Sequence, residues 1–166
     1  MTLKAHFTTF AHYNSWANTK LLDAAAAAGD DGFAAEGGAF FGSLAGTLNH
    51  LLVGDRMWLR RITGVGPAHT RLDELPYPDL AAFRPARAAE DARLIAVVDA
   101  LTEDALAAPL TYRSVTGHEH RQPLAQVLAH LFNHQTHHRG QAHVLLTRLG
   151  QPSVEMDLIY FLRQTR

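Results

Sequence analysis

Five histidines fall within 14 residues: His130, His134, His137, His138 and His143. Imidazoles four residues apart on a helix lie one above the other and point the same way. Such a pair can chelate one metal ion. Two pairs have that spacing, 130/134 and 134/138, and the apolar face of the helix separates them. With His134 at 0° and about 100° per residue, Leu124, Val127, Leu131, Ala142, Leu145 and Leu149 lie at about +20° to +80°. His138, at about +40°, falls inside that arc, whereas His130 and His137, at about −40° and −60°, sit on its shoulder. His143 points elsewhere. His134 and His138 are thus expected to face the interior, where two stacked imidazoles would otherwise need two separate buried partners.

Two histidines rarely hold a metal alone. His50, in Thr47-Leu48-Asn49-His50-Leu51, lies at the edge of an apolar face formed by Leu44, Leu51, Trp58 and Ile62. His6 and His12 compete from the first helix, His12 beside its apolar stripe and His6 near its start. His118 and His120 fall in a segment whose position the spacing does not fix. The residues alone leave this third ligand open.

These side chains need helices to hold them. Leu3, Phe7, Phe10, Asn14, Ala17, Leu21, Ala24 and Ala28 alternate at spacings of four and three, which predicts a first helix over 3–28, ended by Gly29. Residues 30–39 read as a Gly-rich loop. A second helix runs from about Phe40 to Thr63, stopped by Gly64. A long loop follows to Pro78. A third helix covers roughly Asp79–Ala100, and Thr102-Glu103-Asp104 opens a short turn or helix to Ala107. Residues 110–121 alternate weakly around Thr116-Gly117, the pattern of a short β-hairpin. The histidine-rich helix starts near Pro123, a good first helical residue, and ends before Gly150. A short helix at about 154–163 closes the chain. The expected fold is all-α: a four-helix bundle in one domain, 1–166, with a hairpin or irregular insert before the last long helix.

Composition narrows the function. The 166 residues are 47% apolar and 19% charged, which is globular rather than disordered. A net charge of −1 argues against nucleic-acid binding by charge. There is no cysteine, so disulfides, thiolate ligands and a protein-borne thiol nucleophile are excluded. A chain without disulfides suits a reducing cytoplasm. No continuous apolar stretch reads as a secretory leader or membrane span.

Three stretches carry a family resemblance: Tyr13-Asn14-Ser15-Trp16-Ala17-Asn18; Leu48-Asn49-His50-Leu51-Leu52 with Asp55 and Trp58; and, most specific, Asn133-His134-Gln135-Thr136-His137-His138-Arg139-Gly140-Gln141. Over essentially its whole length the chain resembles the DinB/YfiT-like family of metalloenzymes, which is unrelated to the polymerase of similar name. The resemblance implies a four-helix bundle, often a homodimer, in which His50, His134 and His138 bind a divalent metal ion. It also implies a small-molecule substrate and, from thiol-dependent S-transferases and isomerases among the relatives, a low-molecular-weight thiol cosubstrate.

Three neutral imidazoles leave the ion its full charge and at least one open position. Nitrogen ligands suit zinc or nickel, with copper and ferrous iron as alternatives. Hydrolysis, or a non-catalytic stress-response role in binding metal or small molecules, are the other readings. Gln141, one turn beyond the ligands, and His137 are the candidate catalytic residues, with solvation the simpler fate of His137. Asp55, on the apolar side of its helix, needs a partner, for which Asn14 and Trp16 are the candidates. Arg139 reads as a surface residue.

Overall fold

A computed structural model of the chain describes residues 1–164. Four long helices form the bundle: α1 (Leu3–Ala34), α2 (Leu44–Thr63), α3 (Leu80–Ala100) and α5 (Leu124–Arg148). α1 packs on α3 and α5, and α2 packs on the same two helices, so α1 and α2 lie chiefly across a diagonal. The short α4 (Glu103–Ala107) and the hairpin β3 (Pro109–Arg113) and β4 (Glu119–Pro123) precede α5, and α6 (Leu158–Gln164) follows it. This is the expected mostly-α bundle with its hairpin insert.

The helix starts follow from local chemistry. Thr2, Ser43, Asp79 and Thr102 each accept a hydrogen bond from a backbone N–H three residues on, satisfying a donor that the first helical turn leaves bare. Gly64 ends α2 in the left-handed conformation at φ 78°, its N–H donating to the Arg60 carbonyl. The hairpin pairs Tyr112 with His120 and Arg113 with Glu119.

Several boundaries differ from expectation. Gly29 does break the first helix, at φ 70° and ψ 177°, but residues 30–34 turn helically again. Phe33 explains this: it is fully buried and packs beside Phe83 of α3, which draws the segment back onto the core. Residues 36–43, read as a loop running into a helix at Phe40, form a second small hairpin, β1 (Glu36–Ala39) and β2 (Gly42–Ser43). α2 waits for its Ser43 cap. Pro123 precedes the first residue of α5 rather than being it. The last helix begins at Leu158, four residues later than expected.

The core has two apolar layers. One gathers Leu21, Phe33, Leu48, Leu52, Phe83 and Leu146. The other gathers Phe7, Leu59, Leu94, Val98, Leu128 and Leu131. Between them lies a buried polar layer to which all four long helices contribute: Asn14 and Asn18, Asp55, Arg87 and Asp91, Gln135 and Arg139. Arg87 sits 2.8 Å from Asp55 Oδ2 and 3.0 Å from Asp91 Oδ1. These are ion pairs by distance, and their N–H directions miss hydrogen-bond angles. Asn14 and Asn18 donate to Asp91. Arg139 donates to Asn14 Oδ1 and, at 3.4 Å, to Asn18 Oδ1 and Gln135 Oε1. Two carboxylates thus share the Arg87 guanidinium, and amide oxygens meet the Arg139 guanidinium, so each buried charge has polar partners.

That layer corrects two expectations. Arg139 is buried, not on the surface. Asp55 takes Arg87 as its partner; Asn14 serves Asp91 instead, and Trp16 Nε1 donates to Gln164 at the bundle edge. Arg87 lies on α3, whose part in the polar layer no motif announced.

Candidate metal centre

His50 sits in the middle of α2, and His134 and His138 occupy successive turns of α5. The two helices pack side by side and bring three ring nitrogens together. His50 Nε2 lies 2.9 Å from His134 Nε2 and 3.2 Å from His138 Nε2. One ligand atom from each residue falls within 4.8 Å of the others. The arc argument on α5 and the choice of His50 therefore describe a real convergence. His50 is buried, and His134 and His138 are half-buried.

The local packing explains the approach. Gly54, one turn after His50, faces His134: a Cβ there would stand 3.4 Å from His134 Cε1. Phe41, from the tip of the first hairpin, stacks on His50 with ring centroids 3.8 Å apart and an 18° tilt. It also meets the edge of His138 at 5.6 Å. Behind the pair, Gln135 and Arg139 alternate with His134 and His138 along α5 and are held in the polar layer. This locks the rotation of α5 and turns both imidazoles toward α2.

The outer ring nitrogens decide the protonation. His50 Nδ1 is 2.8 Å from the Leu72 carbonyl, which only accepts, so Nδ1 carries the proton and donates. His138 Nδ1 donates to Gln141 Oε1 at 2.7 Å. Burial holds His50 down to about 4, against a smaller upward pull from the Leu72 carbonyl. Burial, then the neighbouring His138 and His50, holds His134 down to about 3. Burial also lowers His138. All three are neutral at pH 7, and a neutral ring protonated at Nδ1 presents a bare lone pair at Nε2. His50 and His138 therefore aim lone pairs at one another across 3.2 Å, a repulsive arrangement unless a cation lies between them.

A divalent ion fits that arrangement. Nitrogens sharing a tetrahedral or octahedral ion lie about 2.9–3.4 Å apart, given metal–nitrogen distances of 2.0–2.1 Å, and the observed pairs fall in that range. A metal-bound imidazole characteristically donates its other N–H to a carbonyl or carboxylate; Leu72 O and Gln141 Oε1 fill that role for two of the three rings.

The remaining candidates are placed as follows. Gln141 does not stand free: its Oε1 takes His138 Nδ1 and its Nε2 donates to His137 Nε2 at 3.2 Å. His137 is exposed, linked to the centre through Gln141. His130 stands beside His134, with centroids 5.8 Å apart, and against Trp58. His6 packs on Phe7 and Phe10, His12 is exposed, and His118 and His120 lie on the exposed hairpin. None of these four joins the cluster. His143 turns away and accepts from the Val154 backbone N–H. Sequence reasoning missed Phe41, which carries no periodic signal, and the Leu72 carbonyl, a backbone atom in a loop that no side-chain pattern marks.

No helix among the described residues is long and apolar enough to cross a membrane. No curated protein and no solved structure matches the sequence. The family model described as "DinB family" matches residues 1–166, the whole chain. With the bundle and the three converging histidines in place, that match settles the assignment: the chain belongs to the DinB family.

Proposed function

We propose that His50, His134 and His138 hold one divalent metal ion, zinc or nickel, and that the centre serves a thiol-dependent S-transferase acting on small electrophiles. The observation that carries the metal reading is the pair of facing lone pairs on His50 and His138, 3.2 Å apart with both Nδ1 atoms already donating. Family membership and the absence of any cysteine support the rest: a thiol nucleophile has to arrive from outside the chain.

The ion, held by three neutral ligands, supplies a positive charge that favours deprotonation of a thiol or of water beside it. The protein's own residues do the positioning. The Leu72 carbonyl and Gln141 hold two imidazoles in the tautomer that presents Nε2. Phe41 shields one side of His50 and excludes water from it. Gln141 acts through His138 and is a positioning residue, and His137 is its outer partner. The family resemblance further supports a homodimer, which light scattering of the purified chain tests directly.

The test of the reaction is a comparison. Metal-loaded protein is given an electrophile such as 1-chloro-2,4-dinitrobenzene with and without a low-molecular-weight thiol. The proposal expects thiol consumption above the uncatalysed rate, lost in His138→Ala. Turnover without thiol would replace it with hydrolysis, and no turnover of a panel of electrophiles would leave a metal-binding protein without this activity.

A further inference from the structure

A cavity beside the histidine cluster continues into a second one. The inner one, about 300 Å³, is lined by His134 and His130 together with Trp58, Tyr112 and Leu72. The outer one, about 530 Å³, is lined by Arg60, Arg61, Arg113 and His69. They share Met57, Arg61, Ser114 and Val115, and so form one cleft running from the metal centre toward the second hairpin. Their sizes fall in the range of small-molecule sites. No aspartate or glutamate lines either one.

Arg61 stands at the junction. Its guanidinium lies 4.6 Å from the Trp58 ring and 5.4 Å from Tyr112, held between the two aromatic faces. It is half-buried. Among the described residues it has neither a carboxylate within ion-pair distance nor a hydrogen-bond acceptor. The two arginines beside it are engaged: Arg60 donates to the Gly66 carbonyl, and Arg113 pairs with Glu119. The wall of the outer cavity holds a second unmet group, His69 Nε2, a buried ring nitrogen with no partner on a side chain 7% exposed. A guanidinium fixed in orientation, partly removed from water and lacking an anion is built to receive one.

We infer that this cleft binds a small carboxylic acid, its carboxylate on Arg61, its apolar body against Trp58, Tyr112 and Met57, and its far end at His134, the metal-centre histidine that lines the cleft. The inference rests on the metal-centre reading only for what happens at that far end. Gly54 faces His134, and Arg61 lies seven residues further along α2. At 1.5 Å per residue that places Arg61 about 10 Å along the helix from the His134 end of the cleft. The substrate is then an acid whose reacting atom sits at the opposite end of a short apolar body.

The test uses Trp58 as reporter, in a Trp16→Phe background, with 4-phenylbutyrate and its neutral amide as probes. The acid is expected to quench Trp58 saturably and to bind at least about tenfold tighter than the amide. Arg61→Gln should bring the acid down to the level of the amide, while Arg61→Lys, which keeps the charge, should retain part of the preference and guards against a folding artefact. The preference should survive in His138→Ala, where the metal centre is broken, so that a failed metal centre and a failed acid site give different results. Equal binding of acid and amide, no saturable binding of the acid, or a preference that survives Arg61→Gln would each overturn the assignment. So would acid binding that vanishes in His138→Ala and persists in Arg61→Gln, since the acid would then sit on the histidines.

Discussion

His50 and His138 present their Nε2 atoms to each other at 3.2 Å while each donates its Nδ1 proton to an oxygen on the far side, Leu72 O for one and Gln141 Oε1 for the other. Both tautomers are thereby fixed with the lone pair inward. A pair of histidines satisfying one another would need one inward proton. Neither of these two rings supplies one, and a cation between them would satisfy both lone pairs.

Gln141 should tune that centre without being a ligand. Gln141→Leu keeps the bulk and removes the acceptor for His138 Nδ1. Metal affinity should fall roughly 10–100-fold, with little change in the stability of the metal-free protein, as read by competition with a chromophoric chelator. Gln141→Glu restores an acceptor and should recover most of the loss.

The polar layer should matter more to stability than to metal. Asp55 and Arg87 are almost wholly buried and 2.8 Å apart. Asp55→Ala leaves the buried guanidinium with Asp91 as its one remaining carboxylate and should cost about 3–5 kcal/mol in urea unfolding. Asp55→Leu combined with Arg87→Met removes that ion pair but leaves Asp91 with only Asn14 and Asn18 as donors, and should cost less than the sum of its two single changes. A double variant as unstable as the sum of the singles would show that the pair is not coupled.

The first hairpin should be sensitive at Gly46. A Cβ there would run into the Phe41 carbonyl oxygen. Gly46→Ala should therefore destabilise by about 1–3 kcal/mol and push Phe41 off His50, with a loss of metal affinity alongside. A stability change without any change in metal binding would mean that the Phe41–His50 stack is dispensable.

Acid should unfold the metal-free protein early. Unfolded imidazoles take up protons near 6.5, whereas His50 resists down to about 4 and His134 down to about 3, chiefly because they are buried. Over that window the unfolded state binds protons that the folded state refuses. The stability these rings contribute is thus present above pH 6.5 and lost as pH falls through 4. Urea midpoints of chelator-treated protein should drop steadily from pH 7 to pH 4.5, and the drop should be shallower in His50→Ala/His134→Ala. Equal slopes in the two proteins would contradict the burial of neutral rings.

The bundle was legible because its long helices carry strong periodicity; Thr102, Gly29 and Gly64 are readable as punctuation, whereas the Ser43 cap was passed over for a start at Phe40. The α5 pair was legible for the same reason, since the arc that places Leu131 and Leu145 inside also places His134 and His138. His50 was not legible from spacing: an edge position on α2 looks no different from His12 on α1 until the two helices are packed, and only the family resemblance chose it. Arg139 was misjudged because a charged side chain on α5 cannot be told from a surface one without its partners, Asn14 and Asn18, more than a hundred residues away. Phe33 and Phe41 were lost in glycine-rich sequence for a related reason: their environments are tertiary, and no local period marks them.

The most direct measurement is the metal content of untagged protein purified without a nickel column, by elemental analysis of the wild type and of His50→Ala and His138→Ala. One equivalent of zinc or nickel per chain in the wild type, and well under a tenth of an equivalent in each variant that still folds by circular dichroism, is the predicted result. A wild-type protein free of divalent metal that also fails to take up zinc or nickel at micromolar concentration would contradict the account, as would variants that keep their metal after losing His50 or His138.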